Sequence, residues 1–230
     1  MLISLSYRFV FIANLKTAST AIEAALRPFS DIALVEARFD KHLPFVDFEE
    51  RFSWIFDIIP RREFLIFGVL RDPLDYVVSL YNSHCDARFK DIPSLYTGGM
   101  TFDNFLTQWA AQNPDQLTPQ HGRFLNKKQE IAVDYIISFD QLPSGLTVIY
   151  EKIGIPAPLQ VPHINISHRR VSVEELSPLH RQHIECRLGA DRRFIAKFCN
   201  RFLSSVIPME TEERENLPGT PRGFSGDAVP

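Results

Sequence analysis

Along the chain, short apolar runs alternate with stretches in which apolar residues recur every three or four positions. That is the pattern of β–α units built around a parallel sheet. Phe9-Val10-Phe11-Ile12-Ala13 reads as a buried strand, and Ala18 to Leu26 as the helix after it, with Ala21, Ile22, Ala25 and Leu26 on one side and Pro28 ending it. Ile32 to Phe39 reads as a second strand. Asp47 and Glu50 have capping-box spacing, and Phe48, Phe52, Ile55 and Ile59 recur at helical intervals around them. Phe64-Leu65-Ile66-Phe67-Gly68-Val69-Leu70 is the most hydrophobic run and reads as a central strand covered on both faces. Asp72-Pro73 supplies an N-cap and a first-turn proline, opening a helix to about Ala87. After a loop from Arg88 to Gly99, Phe102, Phe105, Leu106 and Trp109 outline another helix. Val133 to Phe139 reads as a fourth strand, and Leu146, Ile149, Tyr150 and Ile153 as the helix that follows. Pro156, Pro158 and Pro162 mark an irregular loop, and Ser172 with Glu175 forms a second capping box that starts helical sequence running, with a break, to about Leu203.

These elements predict an α/β fold with a three-layer parallel sheet flanked by helices, in one domain over residues 1–207. Residues 208–230 carry four prolines and three glycines with little apolar content, the composition of a disordered tail. With 25 Lys+Arg against 28 Asp+Glu the net charge is −3, which argues against a general nucleic-acid binder but leaves room for a basic pocket. Cys85, Cys186 and Cys199 are odd in number and scattered, so neither a disulfide framework nor a thiolate metal site is expected. The run Phe9–Ala13 is far shorter than the ~20 residues that span a bilayer, and no signal-peptide core is evident. No transmembrane segment and a cytoplasmic location are therefore expected.

Chemistry concentrates after the first strand. Asn14-Leu15-Lys16-Thr17-Ala18-Ser19-Thr20 runs from strand to helix, and aims free backbone N–H groups, an ammonium and three hydroxyls at one place. Such a turn holds a phosphate; the plainer alternative is an ordinary turn capped by Thr and Ser. A Walker A loop would need glycine at positions 10 and 15, which hold Val10 and Leu15. Arg71 stands at the end of the most buried strand, where open parallel sheets place ligands, and Ser79 lies two helical turns past the Asp72 cap on nearly the same face. Together they can hold a second phosphate, or Arg71 can pair with Asp72 or Asp75 instead. His180, His183 and Cys186 drift around a helix with charged neighbours and read as a solvated edge rather than a metal site.

Phe11 to Thr20 resembles the 5′-phosphosulfate loop of sulfotransferases that use 3′-phosphoadenosine 5′-phosphosulfate (PAPS), and Val69-Leu70-Arg71-Asp72-Pro73 through Ser79-Leu80-Tyr81 is similar to their 3′-phosphate motif. Gln120 to Leu125, Val133 to Phe139 and Pro162-His163-Ile164-Asn165-Ile166-Ser167 resemble, in order and spacing, the carbohydrate branch of that family. The likeness covers residues 8–203 and implies the P-loop nucleoside-triphosphate-hydrolase-like fold. Two positions depart from the family: Leu15 stands where proline is usual, and Tyr76 where a second arginine is frequent, for which Arg169 or Arg170 is the expected replacement.

The resemblance implies a donor, PAPS, and no metal. Thr17, Ala18, Ser19 and Thr20 would hold the 5′-phosphate, Arg71 and Ser79 the 3′-phosphate, and Lys16 would meet the oxygen leaving sulfur. His42, in Lys41-His42-Leu43-Pro44, is the implied general base, with Glu36 and His84 as rivals. The acceptor would be a hydroxyl of a carbohydrate, glycolipid or small metabolite. The rival functions are an ATP-dependent small-molecule kinase and a non-catalytic nucleotide-binding scaffold.

Overall fold

The computed structural model describes residues 1–36, 41–156, 170–203 and 207–208. β1 (Leu2–Ser4) and β2 (Phe9–Ile12) form an antiparallel hairpin, with Arg8 at a left-handed φ of 56° where the turn closes. α1 (Ser19–Leu26) and the short strand β3 (Ile32–Ala33) follow, β3 pairing antiparallel with β1. After α2 (Phe45–Phe52) and α3 (Ile55–Ile58), β4 (Leu65–Leu70) lies parallel to β2. α4 (Pro73–His84) is followed by a continuous helical stretch of α5 (Phe102–Asn104), a π-helical segment (Phe105–Trp109) and α6 (Ala110–Gln112). A 3-10 turn (Gln120–Phe124) and β5 (Glu130–Ile131) lead to β6 (Tyr135–Ser138), parallel to β4. Last come α7 (Leu142–Ile153), α8 (Pro178–Phe198) and β7 (Ile207–Pro208), which pairs antiparallel with β5.

The main sheet has the order β3-β1-β2-β4-β6. It is mixed: parallel at its centre and antiparallel at one edge, which corrects the expectation of a parallel sheet throughout. The reason is chain length. Four residues separate β1 from β2, enough for a hairpin and far too few for the crossover that a parallel pair requires.

Both faces are covered. Phe9, Phe11, Phe67, Val69 and Ile137 point toward α1 and α7, meeting Ile22, Leu26, Leu146 and Ile149. Val10, Ile12, Ile66 and Ile136 point the other way, meeting Phe48 of α2, Ile55 of α3 and Phe194 and Phe198 of α8. This two-sided burial explains why β2 and β4 are apolar runs rather than alternating ones. A further cluster packs α4 against Phe105, Trp109 and the Ile184 and Leu188 side of α8.

Several boundaries differ from those read in the sequence. α4 begins as expected, with the Asp72 carboxylate accepting from the Leu74 N–H at 2.9 Å, and ends at His84. α2, however, starts at Phe45 behind an extended Pro44, so Asp47 lies in its first turn rather than at its cap. Phe45 and Phe48, both buried, set that start. The Ser172 N–H donates to Glu175 at 2.6 Å, half a capping box that closes a turn; the long helix starts later, capped by Ser177 and His180. Of the second predicted strand only Ile32–Ala33 pairs, and residues 37–39 lie outside the described residues, as do residues 209–230 of the tail.

Gly68, in the middle of β4, is required by a close approach: a Cβ there would overlap the ring of Phe124. Gly68→Ala therefore has to displace the buried Phe124 ring. A loss of about 1–3 kcal/mol of stability is expected from this overpacking, measured as a lower urea midpoint with unchanged slope.

Candidate functional site

The parallel strands β2, β4 and β6 end on the same edge of the sheet, and the segments that leave them line one cavity of about 370 Å³. Leu15, Lys16 and Ala18 to Ala21 come from the end of β2, Arg71 from the end of β4, and Phe139 from the end of β6. His42, Ser79 of α4 and Phe89 complete the wall. The cavity is of the size that takes a small molecule. Two of these residues are cations and none is acidic.

The β2–α1 loop is strained in an informative way. Lys16 and Ala18 both take left-handed φ, 59° and 57°, although neither is glycine. Each such residue costs about 1–3 kcal/mol and persists where the surroundings impose it, commonly at a binding site. Ala18 is the N-cap of α1, and no side-chain hydrogen bond caps the helix among the described residues. Thr17 and Ser19 thus flank the cap position rather than occupy it. The Ala18 carbonyl accepts from the Ala21 and Ile22 N–H groups at 2.9 and 3.1 Å, which leaves the N–H groups of Ala18, Ser19 and Thr20 ahead of the first intrahelical bond, on residues that line the cavity. Thr17 behaves differently from its neighbours: it is buried, its hydroxyl donates to the Asn14 carbonyl at 2.9 Å, and its side chain serves the loop from beneath. The Thr20 hydroxyl accepts from Lys41 at 2.8 Å, and Lys41 also pairs with the buried Glu23 at 2.8 Å. That pairing holds a third cation, Lys41, behind the rim of the cavity.

Arg71 reaches back over the loop. Its Nη1 donates to the Lys16 carbonyl at 3.1 Å, and its guanidinium lies 4.2 Å from the centroid of the Phe139 ring. Nε is buried without a hydrogen-bond partner among the described residues, and burial pushes the guanidinium pKa down, opposed by Asp75 and Asp72. A half-buried arginine whose buried N–H is unsatisfied, with a cavity at its side, fits an anion. Asp72, the expected rival partner, is bound instead by Arg192 of α8 at 2.8 Å.

His42 contributes a ring whose tautomer the structure dictates. Nδ1 lies 3.2 Å from the Ala13 carbonyl oxygen, which can only accept, so Nδ1 carries the proton and Nε2 keeps its lone pair. Burial, followed by the nearby charges of Arg123 and Lys41, pushes the ring pKa down to about 4. The imidazole is thus neutral at pH 7, the form a base requires. Arg123 donates to the His42 carbonyl and holds the backbone in place.

Other residues singled out in the sequence stand apart from the cavity. Glu36 is exposed and outside the lining. His84 is buried between Phe89, with ring centroids 4.6 Å apart, and Trp109 at 5.2 Å. Tyr76 is buried, its hydroxyl donating to the Gln116 carbonyl at 2.6 Å. Arg170 is exposed, its N–H donating to Asn82 at 3.1 Å. Arg169 and His163 lie outside the described residues. His180 takes the cap of α8 with Nδ1 and the Asp103 carboxylate with Nε2, at 2.9 Å.

Sequence reasoning did not find the roles of Asn14, Lys41, Phe89 and Phe139, nor the contacts of Gln120. The aromatic walls and Lys41 carry no local signal, since each acts across the fold. Asn14 does carry one: a polar residue directly after an apolar strand is buried only if it ties strand ends together. Its Nδ2 lies 3.4 Å from the Val69 carbonyl oxygen, and its Oδ1 accepts from the Leu15 N–H at 2.9 Å. Comparisons with protein-family models, curated proteins and solved structures give no match to this chain.

Proposed function

We propose that the protein is a sulfotransferase that moves a sulfuryl group from PAPS to a hydroxyl of a carbohydrate-type acceptor, in a P-loop-like α/β fold. The observation that carries the reading is a single cavity, free of carboxylates among the described residues, in which an uncapped helix start with Lys16 faces Arg71 and Ser79 beside a neutral His42. Two cationic loci on neighbouring strand ends suit a ligand with two anionic groups, and the sequence resemblance names one.

The donor supplies an activated sulfuryl group, whose transfer breaks the sulfur–oxygen bond to the 5′-phosphate and forms one to the acceptor oxygen. The N–H groups of Ala18, Ser19 and Thr20 and the two hydroxyls among them would hold the 5′-phosphate. Arg71 and Ser79 would hold the 3′-phosphate. Lys16 would neutralise charge growing on the leaving oxygen, and His42 Nε2 would take the acceptor proton. Alignment and charge stabilisation are what a loose transfer asks of a protein.

Thermal unfolding with ligands tests the reading. Adenosine 3′,5′-bisphosphate without magnesium is expected to stabilise the fold by about 2.7 kcal/mol at 100 times its dissociation constant. Stabilisation by ATP with magnesium alone would favour a kinase. Binding of the bisphosphate without turnover of PAPS on any glycan, glycolipid or small alcohol would favour a scaffold.

A further inference from the structure

Arg71 is the first residue past the sheet. The β4–β6 register ends at Leu70 opposite Ser138, so the backbone groups of Arg71 lie beyond the last ladder pair. The side-chain amide of Gln120 takes the place of a strand. Its Nε2 donates to the Arg71 carbonyl at 2.9 Å, and its Oε1 accepts from the Arg71 N–H at 3.4 Å. The backbone of the same residue looks two other ways. Its N–H donates to the Asp191 carboxylate of α8 at 2.8 Å, and its carbonyl lies 3.5 Å from Asn14 Nδ2 at the root of the β2–α1 loop. Asp191 is fully buried and is held further by the His121 N–H at 2.9 Å and His121 Nδ1 at 2.6 Å. Since Arg71 Nη1 also reaches the Lys16 carbonyl, the contacts close a ring through Lys16, Asn14, Gln120 and Arg71. The two cationic loci of the cavity are therefore braced against each other, with Gln120 touching both sides and α8.

We infer that Gln120 is a positioning residue that fixes the spacing between the β2–α1 loop and Arg71, and so selects a ligand with two anionic groups over one with a single group. The inference rests on the donor reading above. Two joined groups bind far more tightly than either alone only when the protein can engage both at once, an advantage that reaches 10²–10⁴-fold and vanishes when the geometry is loose. A clamp on the spacing governs that advantage without touching either group.

The test compares adenosine 3′,5′-bisphosphate with adenosine 5′-monophosphate and adenosine 3′-monophosphate by calorimetry, on the wild type and on Gln120→Met and Gln120→Glu. Methionine keeps the volume and loses both bonds to Arg71; glutamate keeps the acceptor and loses the donor. The wild type is expected to prefer the bisphosphate at least 100-fold. In both variants bisphosphate affinity is expected to fall about tenfold or more, while each monophosphate changes less than about threefold. A preference that survives in the variants overturns the inference and leaves the donor reading standing. An equal loss for all three nucleotides also overturns it, as does failure of both variants to fold, because Gln120 would then serve the core. A wild type without preference for the bisphosphate sinks the donor reading itself, and this inference with it.

Discussion

Lys16→Ala is expected to lower sulfuryl transfer by about 10³-fold while the protein stays folded. The size follows from the work assigned to the ammonium. Removing one donor that stabilises developing negative charge lowers turnover by about 10²–10³-fold, and Lys16 supplies a full charge in a cavity walled by Phe89 and Phe139. Retention of the fold follows from the backbone. Lys16 holds a φ of 59°, and alanine meets the same left-handed penalty, as Ala18 does two residues on at 57°. Nothing in the loop asks for a lysine on conformational grounds. Lys16→Gly separates the two contributions more sharply: glycine relieves the left-handed strain, so that variant is expected to be as stable as the wild type or more so, and equally inactive. The measurements are initial rates with radiolabelled donor and the thermal midpoint of each variant. More than a tenth of wild-type turnover in either one would remove Lys16 from the chemistry.

What the sequence made legible follows the range over which each feature is determined. β2, β4 and β6 were readable because a strand buried on both faces must be apolar throughout, and α4 because Asp72-Pro73 is a helix start within two residues. Their order along the chain also put the β2–α1 loop and Arg71 at strand ends, which is why most residues proposed for the site line one cavity. β1 escaped notice because three residues, Leu2–Ser4, carry too little pattern, and with it went the antiparallel edge of the sheet. β5 and β7, two residues each, are strands only by virtue of each other. Within the site, Thr17 and Ser19 are alike in sequence, but only the three-dimensional loop turns the Thr17 hydroxyl inward to Asn14. The hold of Gln120 on Arg71 spans 49 residues and that of Asp191 on Gln120 spans 71, and periodicity says nothing at such separations.

His42→Asn is expected to lower turnover by about 10²–10⁴-fold with little change in affinity for adenosine 3′,5′-bisphosphate at pH 8. Asparagine can still donate to the Ala13 carbonyl, so the loop that carries it keeps its anchor while the lone pair of Nε2 is lost. The same substitution has a second, independent signature in stability. The folded ring has a pKa of about 4, against 6.5 for a free histidine, because burial and then the charges of Arg123 and Lys41 disfavour the imidazolium. Between those two values the unfolded chain binds a proton at this position and the folded chain does not. The contribution is therefore complete above pH 6.5 and is lost as pH falls toward 4, amounting to about 3 kcal/mol over the whole window. Subtracting the unfolding free energies of His42→Asn from those of the wild type at each pH isolates it, and a flat difference from pH 7 to 4.5 would mean that the ring titrates as it does in water. Under turnover the balance shifts. On the proposed reading the donor would bring negative charge into the cavity beside the ring, which would favour the imidazolium and raise its pKa. The acid limb of kcat is thus expected at higher pH than the acid limb of kcat/KM, since the first reports the complex and the second the free enzyme. Coincident limbs would take His42 out of contact with the donor's charge, and out of reach of the acceptor hydroxyl beside it.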